Sequence, residues 1–453
     1  MQTINVSEGQ RLVALVSVYA FAFLSPWTIT GGQIAQVFLF AIAIGVAWKC
    51  RGRLKYEPLL WITLFFVTYV VLRGWAAAHV RPDMAEAQWT GVWDWIRAGP
   101  LAILIVVYGL AVAGPHIRNM VGILAANAFG TLGNLVRGFS TEEVIEAVTS
   151  NKRYFFEEMH SIIALQCVAM ILLISAFVPP LIRCRSARTR YVWILACAVA
   201  LAIFSIALVA TKSRSGWVAL AVALALMGAL VLWIHWRGTG DQRKSILSGA
   251  VAVVVGFAIV MIAFGEQIEN RFEDEADSIE KLVSLPFSAM EVGDLGYGSV
   301  ATRARYWEFA ARLFHQQPLF GYGAADPGYL RNEHPIAPQL EGRTDNFHSS
   351  YSQLFVSFGV VGALPWGAFL LLAIVAASKL LSAGSFRTST GLYVLAFIVM
   401  FAVWGIANQR LHRFDLIQLY AIALGVPLAR VCAHQLFGRP KLKRQEVEDN
   451  IDG

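Results

Sequence analysis

The chain has 453 residues, of which 57% are hydrophobic and 15% charged, and its mean hydropathy of +0.57 excludes an ordinary soluble domain. The formal net charge of +7 does not imply a nucleic-acid partner, because most of the excess sits in short basic loops of the kind that anchor helices at a membrane.

Apolar windows able to cross a ~30 Å hydrocarbon core as helix fall at about 11–26, 31–49, 57–75, 99–115, 118–136, 160–182, 191–210, 215–236, 246–264, 351–379, 388–407 and 415–436. They predict an all-α polytopic membrane protein of about twelve transmembrane helices. The first window lacks a strong basic leader and a small-residue cleavage site, so it reads as a retained span. The basic runs Lys49–Lys55, Arg183–Arg190, Trp236–Lys244 and Arg439–Arg444 all lie on one side if both termini are cytoplasmic. The loops near 76–98, 137–159, 211–214, 265–349 and 408–414 then face outward.

Within those loops, Pro82–Ile96 reads as an interfacial helix with Trp89, Trp93 and Trp95 at headgroup level, and Ser140-Thr-Glu-Glu143 as a helix start. The expected organisation is nine spans in 1–264, a large helical outward loop in 265–349, three spans in 350–436 and a cytoplasmic tail in 437–453. A loop as long as 265–349 is uncommon unless functional. Its sections read as a charged helix over 266–281, a Gly-rich break over 293–298, and a helix from Ser299 to Phe314 that ends at Pro318 and Gly321-Tyr-Gly323. That turn has neither the preceding strand nor the lysine of a phosphate loop.

Cys50, Cys167, Cys184, Cys197 and Cys432 fall in spans or at their cytoplasmic ends, which leaves none for an external disulfide, and no Cys and His spacing is of zinc type. Glu273, Asp274, Glu275 and Asp277 spread around a helix instead of converging on a metal. No metal and no cofactor is expected.

The chemistry-bearing candidates sit where polar loops meet apolar helices. In Asp345-Asn-Phe-His-Ser-Ser-Tyr351, His348 is expected on the first turn of a helix beginning near 347, with Asp345 and Asn346 as capping types. The positive helix end would hold the imidazole neutral, as a general base requires; an interfacial histidine bonded to a neighbouring loop is the alternative. Arg214, in Thr211-Lys-Ser-Arg-Ser-Gly-Trp217, faces outward against the charge trend and could grip a phosphate with paired hydrogen bonds, or snorkel to headgroups. Lys212 reads as a headgroup contact. Arg303 shares a helix face with Trp307 and is the inward choice, whereas Arg305 points elsewhere. Arg410, His412 and Arg413 form a further outward basic cluster, able to contact an anionic lipid or an acceptor.

These motifs together, Thr211–Gly216, Arg303-x-x-x-Trp307, Gln317-Pro-Leu-Phe-Gly-Tyr-Gly323, Phe347-His-Ser-Ser-Tyr351 and Phe358-Gly-Val-Val-Gly362, resemble those of the O-antigen ligase and O-antigen polymerase superfamily. The resemblance is clearest over about 205–365, and the layout of spans extends it to nearly the whole chain. It implies a membrane glycosyltransferase of GT-C-like type in a Gram-negative inner membrane, working at the periplasmic face without metal. The implied donor is an O-antigen on undecaprenyl pyrophosphate and the implied acceptor is the lipid A core. Arg214 and Arg303 would hold the pyrophosphate, with Arg305 and Lys212 as lesser candidates. His348 would activate the acceptor hydroxyl, and Arg410, His412, Arg413 and Tyr351 could contact acceptor or lipid.

The family's usual His-Asn pair is His348-Ser349 here, so no role for that Asn carries over. A single base implies inversion at the anomeric carbon; retention would need a carboxylate, with Glu308 and Asp345 nearby. A polymerase, a protein O-oligosaccharyltransferase and, in another class, a transporter of anionic lipid or solute are the competing readings. A transporter predicts charges near mid-membrane and matching halves, and neither is evident in the sequence.

Overall fold

The computed structural model describes residues 6–150, 153–154, 156, 160–182, 186–237, 298–325, 327–332, 346–381, 385–411 and 416–437, with isolated positions between 265 and 280. Every regular element among them is helical: α1 Glu8–Leu24, α2 Ile29–Lys49, α3 Pro58–Val80, α4 Ala85–Ala98, α5 Pro100–Ala113, α6 Ile117–Arg137, α7 Thr141–Thr149, α8 His160–Ile182, α9 Ala187–Ala210, α10 Arg214–Arg237, α11 Ser299–Gln316, α12 Ser350–Ser378, α13 Ser385–Ala407 and α14 Ile417–Phe437. Ten helical stretches among the described residues are long and apolar enough to cross a membrane. Of the twelve expected spans, 246–264 lies outside the described residues. The first, α1, has 17 residues and falls just short of that length. Most of the charged helix expected over 266–281 and most of the Gly-rich break also lie outside.

The span expected at 99–115 is α5, 14 residues long, which at 1.5 Å per residue reaches only ~21 Å. It is buried nearly throughout and packs against α14, α1 and α2, so it fills the interior of the bundle. In α8, 83% of the apolar stretch is buried, against 22% in each of α9 and α10. This contrast separates an inner set of helices from an outer set left to face lipid.

The interfacial helix is α4, with Trp89 and Trp93 exposed on one face. Trp95 corrects the expectation. Two residues beyond Trp93 it points to the other side of the helix, where it is fully buried with its ring 5.0 Å from that of Phe358. The helix expected to begin near 347 begins at Ser350, and its N-cap is Ser349, whose hydroxyl accepts the Ser352 N–H.

A break inside α12 organises the region around the large loop. Gly359 lies at φ +62°, ψ −165°, so the helical ladder fails there. The Val356 and Ser357 carbonyls accept the Tyr322 and Gly323 N–H groups at 2.9 and 2.8 Å, while the Val360 and Val361 N–H groups donate to the Pro318 and Leu319 carbonyls at 2.9 and 3.2 Å. Backbone groups left unpaired in an apolar interior cost several kcal/mol each, and the 317–323 motif supplies the missing partners. From α3, the Tyr69 hydroxyl donates to the Phe358 carbonyl at 2.7 Å, and the Arg73 guanidinium bonds the Phe320 and Gly321 carbonyls. The two backbones meet so closely that a Cβ on Gly359 would lie 2.3 Å from the Leu319 carbonyl carbon, and one on Gly321 (φ +66°) would lie 2.5 Å from the Phe358 nitrogen.

Gly359→Ala should therefore destabilise the protein by about 1–3 kcal/mol or more from backbone strain and clash. Gly367→Ala, where a Cβ meets nothing within 4 Å, should not. Thermal unfolding of both variants in detergent decides, and equal midpoints would count against the break as a structural keystone.

Candidate functional site

The turn between α9 and α10 starts the site. Thr211 caps α9, its hydroxyl donating to the Leu208 carbonyl at 2.7 Å. Lys212 follows with φ +50°, and the Ser213 hydroxyl accepts the Gly216 N–H at 3.4 Å to begin α10. The turn therefore places Arg214 in the first residue of a long helix, half-buried. Lys212 is 1% exposed, which rules out the headgroup contact expected of it.

A second wall comes from α11. Arg303 Nε donates to the Ala407 carbonyl at 3.1 Å and its Nη1 to the Ser299 hydroxyl, which ties α11 to the end of α13. Arg305 is buried at 3% exposure and does not line the pocket, as the two-residue offset requires. A third wall comes from Arg153 and the start of α8 at His160. The Tyr154 N–H donates to the Ala210 carbonyl at 3.1 Å, and the Tyr154 hydroxyl bonds the Gly138 carbonyl while accepting the Ser140 N–H. This fixes the backbone beside Arg153 against the α9–α10 turn.

One pocket is lined by Arg153, His160, Lys212, Arg214 and Arg303, with Asn408 and several serines, and with no carboxylate among the described residues. The N-termini of α8, α10 and α11 converge on it, each carrying the positive end of a helix dipole. Such a lining suits an anion with several oxygen acceptors.

His348 sits beside this pocket. Phe347 is buried in a small core with Phe309, Leu313 and Leu330, and that anchor presents the next residue. His348 takes a left-handed backbone, φ +50°, with its N–H donated to the Asn346 side chain at 2.9 Å. It therefore stands two residues before α12, not on its first turn. Its ring lies 5.3 Å from that of Tyr306. Burial first, then the charges of Arg303 and Arg410, push its pKa down to about 4, so near neutral pH the ring is uncharged. The cause is burial and two arginines, where the helix end had been expected to act.

Ser350 links the two parts: its N–H and hydroxyl both donate to the Asn408 carbonyl, at 2.9 and 2.8 Å, while Asn408 Nδ2 donates to the Ser215 hydroxyl at 2.9 Å. Of the sequence candidates, Lys212, Arg214 and Arg303 are thus brought into one pocket, with His348 and Arg410 alongside. Tyr351 instead turns to α13, donating to the Ala402 carbonyl. His412 and Arg413 lie outside the described residues. Arg153, His160 and Asn408 were missed, although Arg153 is an arginine in a loop that the charge pattern predicts to face outward, the same signal that singled out Arg214.

Helical spans, a break satisfied by the loop motif, and a basic pocket at one end of the bundle define a polytopic membrane protein with a cationic pocket. Residues 197–367, less than half of the chain, match the family model described as O-Antigen ligase (Wzy_C), and this segment is an O-antigen ligase family domain. The family covers O-antigen ligases and polymerases, which transfer lipid-linked glycans. The matched segment contains Arg214, Arg303 and His348 but neither Arg153 nor His160. No curated protein matches the chain.

Because the folded pKa of His348 lies below its ordinary 6.5, protonation favours the unfolded chain. This residue costs no stability above about pH 6.5 and lowers stability as pH falls from there toward 4. His348→Gln should remove that acid-side loss, and the ring resonance lost in this variant should titrate near pH 4 in the wild type by NMR. A midpoint near 6.5 would contradict the buried, arginine-flanked setting.

Proposed function

We propose that the protein is a glycosyltransferase of the ligase type, moving an O-antigen glycan from undecaprenyl pyrophosphate to a hydroxyl of the lipid A core. The observation that carries this reading is the basic pocket beside an uncharged, half-buried histidine, with Arg214, Arg303 and His348 inside the matched family segment. The positive-inside pattern supports a periplasmic position for this end of the bundle.

In this reading Arg214 and Arg303 bind the pyrophosphate. His348 takes the proton from the acceptor hydroxyl as that oxygen attacks the anomeric carbon, and the bond from that carbon to the pyrophosphate oxygen breaks. The charge gained by the leaving group is met by the arginines and the α10 N-terminus, and the proton stays on His348 until released to solvent. Attack opposite the leaving group inverts the anomeric centre. Of the two carboxylates a retaining route could use, Glu308 is half-exposed and 3.5 Å from Arg312 in an ion pair, and Asp345 lies outside the described residues.

The test is transfer by purified protein with lipid-linked O-antigen and lipid A core, in EDTA and without nucleotide. His348→Ala should lower the rate roughly 10²- to 10⁴-fold, the usual contribution of a general base, while leaving donor binding intact. Arg214→Ala and Arg303→Ala should weaken donor binding roughly tenfold to a hundredfold, the worth of one charge-assisted hydrogen bond. Glycan lengthened on its own carrier would mean a polymerase. Near wild-type transfer by His348→Ala would remove it as the base, and no covalent product with either acceptor would favour transport.

A further inference from the structure

The Arg153 segment belongs to the pocket but not to the family domain, which begins at residue 197. Arg153 is exposed, whereas Lys212 is fully buried and Arg214 and Arg303 are half-buried, so the four basic side chains of the lining range from buried to solvent-exposed. The exposed position is a built one. Tyr154, 9% exposed, joins three elements through the Ala210 carbonyl, the Gly138 carbonyl and the Ser140 N–H, and its ring packs edge-on against Phe156 at 4.3 Å. A surface arginine contacting headgroups needs no such anchoring of its backbone beside the α9–α10 turn.

We infer that Arg153 is a further donor-binding residue that makes the pocket selective for a lipid pyrophosphate over a lipid monophosphate. This rests on the donor reading given above. A monophosphate offers one phosphorus centre, which two arginines with bidentate geometry can satisfy. A pyrophosphate adds a second set of acceptor oxygens and more negative charge, and requires cationic donors spread along the pocket. Arg153, the exposed member of the lining, supplies them from a segment that neither Arg214 nor Arg303 occupies. A guanidinium is suited to this because its planar fork of donors matches phosphate oxygens, which a lysine ammonium does not reproduce.

The experiment measures binding of undecaprenyl pyrophosphate and undecaprenyl monophosphate to the purified full chain in nanodiscs, for wild type, Arg153→Ala, Arg153→Lys, Arg214→Ala and Arg303→Ala. Arg312→Ala, an exposed α11 residue outside the pocket lining, serves as control. Wild type should prefer the pyrophosphate. Arg153→Ala should lose roughly tenfold to a hundredfold of that affinity with monophosphate binding unchanged, Arg153→Lys should recover part, and Arg312→Ala should match wild type. If Arg153→Ala binds both lipids as wild type does, or loses both equally, the inference is overturned while weakening in Arg214→Ala and Arg303→Ala leaves the donor reading standing. Wild-type protein that binds neither lipid, or arginine variants of α10 and α11 that bind as wild type, would overturn the donor reading and this inference with it.

Discussion

A broken helix in apolar surroundings must find partners for its exposed backbone groups, and the break of α12 at Gly359 is where this chain meets that demand. The 317–323 motif supplies them with two donors and two acceptors, and Tyr69 and Arg73 on α3 hold the motif in place. Because this motif directly follows α11, its docking fixes where α11 ends and therefore where Arg303 lies. The other end of α11 is tied by Arg303 to the Ala407 carbonyl. The position of one arginine thus depends on a backbone accounting problem some distance away.

The same economy governs the site. Three helix N-termini and four basic side chains meet with no carboxylate among the described residues, an arrangement costly for an empty pocket and favourable once an anion enters. The charges of Arg303 and Arg410 also keep His348 unprotonated. A bound anion would offset those charges and draw the histidine pKa back upward, so occupancy of the pocket strengthens the base beside it. Binding and base strength are linked by electrostatics, with no conformational change required.

Much of the site was legible because the relevant residues announce themselves by breaking a local trend. Arg214 is a cation in a short turn between two spans, and His348 is a titratable group at a polar-to-apolar boundary. Arg153 shows the same deviation, yet its relevance depends on the Tyr154 bond to Ala210, 56 positions away in the chain, and no local pattern encodes such a contact. Trp95 failed for a related reason: composition marks a tryptophan-rich interfacial helix, but which tryptophan enters the core is decided by what packs against each face.

By itself the sequence determined that this is a helical membrane protein, where most of its spans lie and which residue types stand at the water boundary, because the cost of burying polar groups in hydrocarbon acts on every segment locally. Tertiary structure decided which of those boundary residues share a pocket. Convergence of α8, α10 and α11, the break in α12 and the placing of His348 before its helix all rest on hydrogen bonds and packing between distant segments, which are properties of the assembled bundle.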